Sequence, residues 1–321
     1  MKFSLRLLSL VLAVLTVLLV TVPALADSTP AKKVLLWSIG EPGETYDTEK
    51  ADQAIGKIFA ESGIVMDNKS ANTEHFAAGT KLADTYGLVI LYFPHLALND
   101  TDIAVLKDFV DAGGRIYMQG ENPFWMPDEN GYLSAAAAQL GTSFLITYDD
   151  DMEMTAVLNP ESGLIGNPGH TVSALTPNYV SRIEYSEPAI LVAKTTPTQD
   201  IPDGTPFLVD QAISKGRITV CSDVNFYVSE EEVPGSNLWV ALPLLTDDVV
   251  NFFYNLYADT LKNMDLVKDG GNPNRGLIPG VEEDPPATGD ASLPVLWAVL
   301  MTLAMVGTVL LTRTRSGDKR Y

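Results

Sequence analysis

Short apolar runs alternate with amphipathic stretches through the first half of this chain. Lys33–Ile39 (KVLLWSI) is apolar almost throughout, as expected of a strand covered on both faces. Gly40-Glu41-Pro42-Gly43 breaks it. Residues 47–63 predict a helix, with Ala51, Ile55, Ile58 and Phe59 at helical spacing and Gly63 just past its end. Ile64–Met66 predicts a short strand, and Gly87–Phe93 (GLVILYF) a second fully apolar one, stopped by Pro94. Asn99 or Asp100 caps the next helix, in which Ile103, Leu106, Phe109 and Val110 share a face. Gly113-Gly114 ends that helix, and Arg115–Gln119 (RIYMQ) returns as a strand. An Ala-rich helix at Leu133–Leu140 and a strand at Thr142–Thr147 follow. The alternation predicts an α/β fold, a parallel sheet with helices on both faces.

The helical period vanishes between about residues 152 and 206. Thr171–Ala174, Val180–Tyr185 and Ile190–Ala193 are β-prone pieces between Pro and Gly punctuation, which predicts a β-rich insertion. Phe207–Ala212 and Gly216–Asp223 then form a hairpin turned at Ser214-Lys215-Gly216. A last helix is expected over Asp247–Leu261, capped by Thr246, with Val250, Phe253, Tyr254, Tyr257 and Leu261 facing inward. One domain over residues 27–262 accounts for these elements. Residues 263–292 are rich in Gly, Pro, Asp and Glu and read as a flexible stalk.

The two ends carry longer apolar runs. Lys2 and Arg6 precede the run Leu7–Val20, and Ala24-Leu25-Ala26 offers a small-x-small cleavage site, so residues 1–26 read as a secretory signal peptide. Leu293–Leu311 is a charge-free run long enough to cross a bilayer as a helix. The tail 312–321 holds Arg313, Arg315, Lys319 and Arg320, which keep that end on the cytoplasmic side. In front of the run stand Pro285, Pro286, Ala287, Thr288 and Gly289. This arrangement resembles a Gram-positive cell-wall sorting signal of the LPXTG type. The resemblance implies a sortase cut between Thr288 and Gly289 and a covalent link to peptidoglycan. Pro285 replaces the family's Leu; if no sortase accepts it, the run 293–311 serves as a plain membrane anchor. Either way residues 27–288 are expected outside the cell.

Charge narrows the partners. Residues 1–26 carry two cations and no acids, and residues 289–321 four cations and two acids. Residues 27–288 therefore keep 15 Lys and Arg against 39 Asp and Glu, a net charge of −24. Such a surface repels phosphate backbones, which excludes nucleic acid as a partner class. The single cysteine, Cys221, permits no internal disulfide and lies in an apolar run, as a buried thiol would.

The stretch LADTYGLVILYFPHLALNDTDIAVLKDFVDAGGRIYMQGEN, with SKGRITVCSDVNFYVSEEE and DDVVNFFYNLYADTL, resembles the class I glutamine amidotransferase-like fold. It is most similar to the non-catalytic branch, as in gliding-motility-type ABC transporter auxiliary proteins. The resemblance implies a flavodoxin-like sheet and a scaffold whose active site is lost. Catalytic members carry a Cys on a tight strand-to-helix turn. Here that turn is Gln119-Gly120-Glu121-Asn122-Pro123, which has neither thiol nor hydroxyl.

Ligands of such folds bind at loops after the C-terminal ends of the parallel strands: residues 40–46, 94–99, 120–128 and 223–237. Glu121, Asn122, Trp125, His95 and Asn225 are the binding candidates there. An acid and amides beside aromatics suit a sugar or a peptide. Phe124 and Trp125 have a second reading, as cover for the sheet end with Glu121 capping a turn. Glu121, His95 and Asp223 are the acid/base candidates if the domain is instead an extracellular hydrolase of glycans or peptides. His75, His95 and His170 lack metal-ligand spacing, the acid triplets 149–151 and 230–232 lack a calcium-loop pattern, and no phosphate loop is present, so no metal and no cofactor is expected.

Overall fold

The computed structural model describes residues 32–40, 48–70, 72, 74–232 and 239–264. The expected signal peptide, sorting motif, membrane helix and basic tail lie outside the described residues. Among the described residues no helix is long and apolar enough to cross a membrane.

The chain is mixed α/β with a large central sheet. In chain order the strands are β1 Lys33–Trp37, β2 Met66–Lys69, β3 Tyr86–Tyr92, β4 Arg115–Gln119, β5 Leu145–Asp151, β6 Ala156–Leu158, β7 Val180–Glu184, β8 Ile190–Thr195, β9 Pro206–Ile213, β10 Gly216–Cys221, β11 Val228–Glu232 and β12 Trp239–Pro243. The α-helices are α1 Thr48–Glu61, α2 Asp100–Asp111, α3 Pro127–Gln139 and α4 Asp247–Asn263. Eight strands form the main sheet in the order β2-β1-β3-β4-β10-β9-β8-β6. The first five are parallel and the last three antiparallel.

The apolar runs are continuous because alternate residues serve two cores. Val34, Leu36, Leu88, Ile90 and Tyr117 pack with Ile55, Phe59, Phe253 and Tyr257 of α1 and α4. Leu35, Trp37, Val89, Leu91, Ile116 and Ile218 pack with Leu106, Phe109, Leu133 and Ala136 of α2 and α3. Helices thus cover both faces, as the period-2 packing of doubly covered strands requires.

Caps follow local chemistry. Asn99 and Asp102 form a reciprocal capping box at α2, and the Thr246 side chain accepts from the Val249 N–H at α4. Helix α3 starts at Pro127, a turn and a half before the expected Leu133. Pro supplies a preset first helical residue, and Asp128 and Glu129 meet the positive helix end.

Five expectations need correction. The strand expected at Thr142–Thr147 is β5, which leaves the main sheet and pairs antiparallel with β7. The fifth parallel strand is β10, delivered by the hairpin from β9 through the positive-φ residue Ser214. The insertion is not separate from the sheet, because β6 and β8 extend its edge beside β9. Thr171–Ala174 forms no strand. Val172 is buried, and Asn251 and Asn255 of α4 bind the carbonyls of Thr171, His170 and Leu164, so side-chain amides do the tethering that a strand ladder would. The strand placed at Ile64–Met66 begins at Met66 and is half exposed, since polar residues are tolerated on a sheet edge.

Two G-R steps open the N-terminal ends of adjacent strands. A Cβ at Gly216 would fall 2.1 Å from the Gly114 carbonyl oxygen, and one at Gly114 would fall 2.4 Å from the Phe109 ring, so each position needs glycine for a different neighbour. Arg115 and Arg217, paired in register, both reach Asp210. Arg115 Nη1 donates to Asp210 Oδ1 at 2.8 Å and to Thr219 Oγ1 at 2.6 Å, and Arg217 Nε donates to Asp210 Oδ2 at 2.7 Å. Arg115 also pairs with Asp259 of α4.

Candidate functional site

The opposite, C-terminal ends of β4 and β10 hold the polar candidates. The two strands run in register to Gln119 and Cys221, and the Gly120 N–H donates to the Cys221 carbonyl at 2.7 Å. Beyond that point the chains diverge into the 120–126 and 222–227 turns. A Cβ on Gly120 would sit 2.7 Å from Asn130 Oδ1, so the turn needs glycine to let α3 come this close.

Glu121, Asn122 and Asp223 are buried, at 4, 1 and 0 % exposure. Asn130 of α3 reads both sides of the Glu121 peptide: its Oδ1 accepts from the Glu121 N–H at 3.1 Å, and its Nδ2 donates to the Glu121 carbonyl at 2.6 Å. Ser181 of β7 donates to the same carbonyl at 2.8 Å. The Glu121 carboxylate accepts from the Asn122 N–H at 2.9 Å, and Asn122 Oδ1 accepts from the Phe124 N–H at 2.8 Å. Gln119 bridges the strands by donating to the Asp223 carbonyl at 3.0 Å while accepting from the Tyr117 hydroxyl.

Asp223 ties the insertion to this end of the sheet. Its carboxylate accepts from the Asn178 N–H at 3.1 Å and the Asn225 N–H at 2.9 Å, and Asn225 Nδ2 returns a bond to the Asn178 carbonyl. Burial pushes the Asp223 carboxyl up to about 7, against the lowering effect of bonds from the backbone N–H groups of Asn225, Asn178 and Phe226. Cys221 is buried beside it and donates to the Asp223 carbonyl at 3.2 Å. Burial, then the Asp223 charge, pushes this thiol far above its ordinary value, so it is held as an unreactive thiol.

His95 stands apart from this cluster in its bonding. Its Nδ1 meets Glu129 of α3 at 3.0 Å. Burial acts to raise Glu129, but the His95 bond and charge outweigh it and leave that carboxyl below its ordinary value. The crevice between the ends of β1 and β3, where the strand order reverses, is closed at this point. The His95 N–H donates to the Ile39 carbonyl at 2.8 Å, and Gly40 lies against His95 and Leu96 so closely that a Cβ would clash. Residues 41–47 and 233–238 of the neighbouring loops lie outside the described residues.

The aromatic pair behaves oppositely. Phe124 and Trp125 are 77 and 65 % exposed, so they do not cover the sheet end. The structure therefore holds Glu121 and Asn122 in one set of bonds and Asp223 and Asn225 in another, part-buried set, ties His95 to Glu129, and leaves Trp125 in solvent. Asn130, Ser181 and Asn178, which organise the cluster, were not among the sequence candidates. Asn130 and Ser181 signal themselves only as buried polar residues of α3 and β7, and Asn178 bonds through its backbone N–H and carbonyl, which residue type does not signal. Of the acid triplet 149–151, Asp151 is also inward, accepting from Thr195 Oγ1 at 2.5 Å.

No family model and no curated protein matches this chain. Among solved structures it is similar to the mmIFT52 N-terminal domain, at 15% identity over 60% of this chain and 87% of that one, with a TM-score of 0.45. It is similar to a cytoplasmic protein from Salmonella typhimurium, at 16% identity over 69% and 98%, TM-score 0.45. A ThuA-like protein from Bacteroides uniformis gives 11% identity over 78% and 98%, TM-score 0.42.

Proposed function

We propose that this chain is a surface-displayed, non-enzymatic binding domain on a degenerate amidotransferase-like scaffold. A sorting signal at residues 285–289 and the apolar run 293–311 anchor it to the cell wall or membrane. The parallel order β2-β1-β3-β4-β10, equivalent to a flavodoxin-like 2-1-3-4-5 sheet, supports the scaffold reading. One observation carries the binding reading: the groups capable of acid/base work are buried and occupied in holding loops, while the aromatics beside them are presented to solvent. A stacking ligand needs that presentation. Covalent acyl transfer needs an exposed nucleophile beside its base, and the 119–123 turn carries none.

Trp125→Ala tests the reading. In a glycan and peptide array probed with the full chain, it should abolish binding of whatever the native chain retains while leaving the unfolding midpoint nearly unchanged. Retained binding would remove the rim from consideration. A second reading, an extracellular hydrolase, is favoured by one observation, the Asp223 carboxyl held near neutral pH. If any hydrolysis is detected, Glu121→Gln should lower its rate by orders of magnitude; an unchanged rate rejects that reading. Anchoring is tested at the wall itself. Muramidase digestion should release the protein joined to peptidoglycan fragments, whereas recovery of intact detergent-extractable chain alone would leave only the membrane anchor.

A further inference from the structure

A cavity of about 530 Å³ opens between α3 and β5, immediately beside the aromatic loop. Pro123 and Pro127 close one end, and Leu145 and Tyr148 of β5 form a wall. Gly131 and Ala135 of α3 face it with almost no side chain, which is why a groove exists here. Tyr148 is 72 % exposed, so with Phe124 and Trp125 three aromatic rings stand in solvent at or near the groove. Single exposed apolar residues are ordinary, but a groove with this many presented together marks an interaction surface.

Its edge is acidic. Asp149 and Asp150 follow Tyr148, and Asp128 follows Pro127. Arg182 approaches Asp149 at 3.6 Å, yet Asp149 stays 75 % exposed, so its charge is left largely to solvent. Strand addition to β5 is obstructed at Ile146, whose N–H already donates to Ser134 Oγ at 3.0 Å. Recognition must therefore come from side chains entering the groove rather than from a backbone ladder.

We propose that this groove binds an extended cationic peptide segment, one that seats an apolar side chain between α3 and β5 and places Lys or Arg against Tyr148 and the 149–150 acids. The proposal rests on the binding-domain reading above and names the partner for it. An aromatic face and a solvent-exposed carboxylate attract the same cation additively. A second copy of this chain is disfavoured as occupant, because residues 27–288 carry a net charge of −24. A neutral glycan would stack on the rings but leave the acids unused.

The test is calorimetric titration of the full chain, held in neutral detergent, with a short synthetic peptide alternating lysine and leucine. Its glutamate–leucine counterpart and a chitin oligosaccharide serve as the other probes. The cationic peptide should bind saturably and weaken with salt, and the acidic peptide should not bind. Ala135→Trp, which fills the groove from an exposed helix position, and the pair Asp149→Lys, Asp150→Lys should each weaken binding by about tenfold or more. Circular dichroism checks that these surface variants remain folded. Cationic-peptide binding that all these variants leave unchanged is diffuse charge attraction and overturns the groove assignment. Oligosaccharide binding lost in Trp125→Ala but kept in Ala135→Trp also overturns the groove, while the binding-domain reading survives. Loss of no probe in either variant defeats both.

Discussion

The two ends of the β4–β10 strand pair bury charge by opposite means. At the N-terminal end, Arg115 is 1 % exposed and is met by Asp210, Asp259 and Thr219, with Arg217 completing the set. Burial costs the Asp259 carboxyl, but the Arg115 charge and hydrogen bond outweigh it and hold its pKa below the ordinary value. At the C-terminal end, Asp223 is equally buried but is met by backbone N–H groups, and burial wins, raising it to about 7. One end is a set of matched ions in which each charge compensates another. The other holds a carboxylate whose ionisation the fold opposes. Matched ions serve stability, whereas an acid whose ionisation burial opposes carries a cost that depends on pH.

The comparison breaks most readily at Arg115. Arg115→Met removes the cation and leaves Asp210 with Arg217, and Asp259 with the weaker fields of Arg217 and Lys262. Loss of one partner of a buried pair costs roughly 3–5 kcal/mol, which urea unfolding near neutral pH would read. Arg217→Met should cost about 1 kcal/mol or less, because Arg217 is partly exposed and Asp210 keeps Arg115. If the two substitutions cost the same, the N-terminal end is not organised around Arg115. The Asp259 contribution also has a pH signature. Its folded pKa is depressed, so its stabilisation is present above the unfolded value near 3.8 and is lost as pH falls through the lower folded one.

The same contrast explains what was legible in the sequence. Strands buried on both faces announce themselves as unbroken apolar runs, and Arg115–Gln119 was placed to the residue. Glycine before Arg115 and Arg217 was visible in the chain, though the reasons, the Phe109 ring against Gly114 and the Gly114 carbonyl against Gly216, were not. Beyond residue 140 the reading weakened because the decisive contacts are long-range. Nothing local says that β5 abandons the main sheet for β7, or that β10 takes the place beside β4. At the site, residue type drew attention to Glu121, Asn122, Trp125 and Asp223. Type alone could not say which were presented. Glu121 and Asp223 fold inward because Asn130, Ser181 and Asn178 supply bonds from other elements, while Trp125 finds no such partner surface.

A pH-dependent effect tests the C-terminal end directly. A raised carboxyl pKa means the native state holds its proton more tightly than the unfolded chain between about pH 4 and pH 7. Stability from this group is therefore fully present below the unfolded value and is lost as pH rises through about 7. Across that window the shift corresponds to on the order of 4 kcal/mol. The chain's many other acids also titrate toward low pH and relieve repulsion, so the native protein alone cannot isolate Asp223. Asp223→Asn can, because every other acid is common to both proteins. The Asn side chain turns one amide group toward a backbone N–H and lowers stability throughout, but it does not titrate. The difference in unfolding free energy between native protein and variant should shrink as pH rises from about 5 to about 8. A difference that stays constant would mean Asp223 ionises there at no cost, and the two ends of the strand pair would then bury charge in the same way.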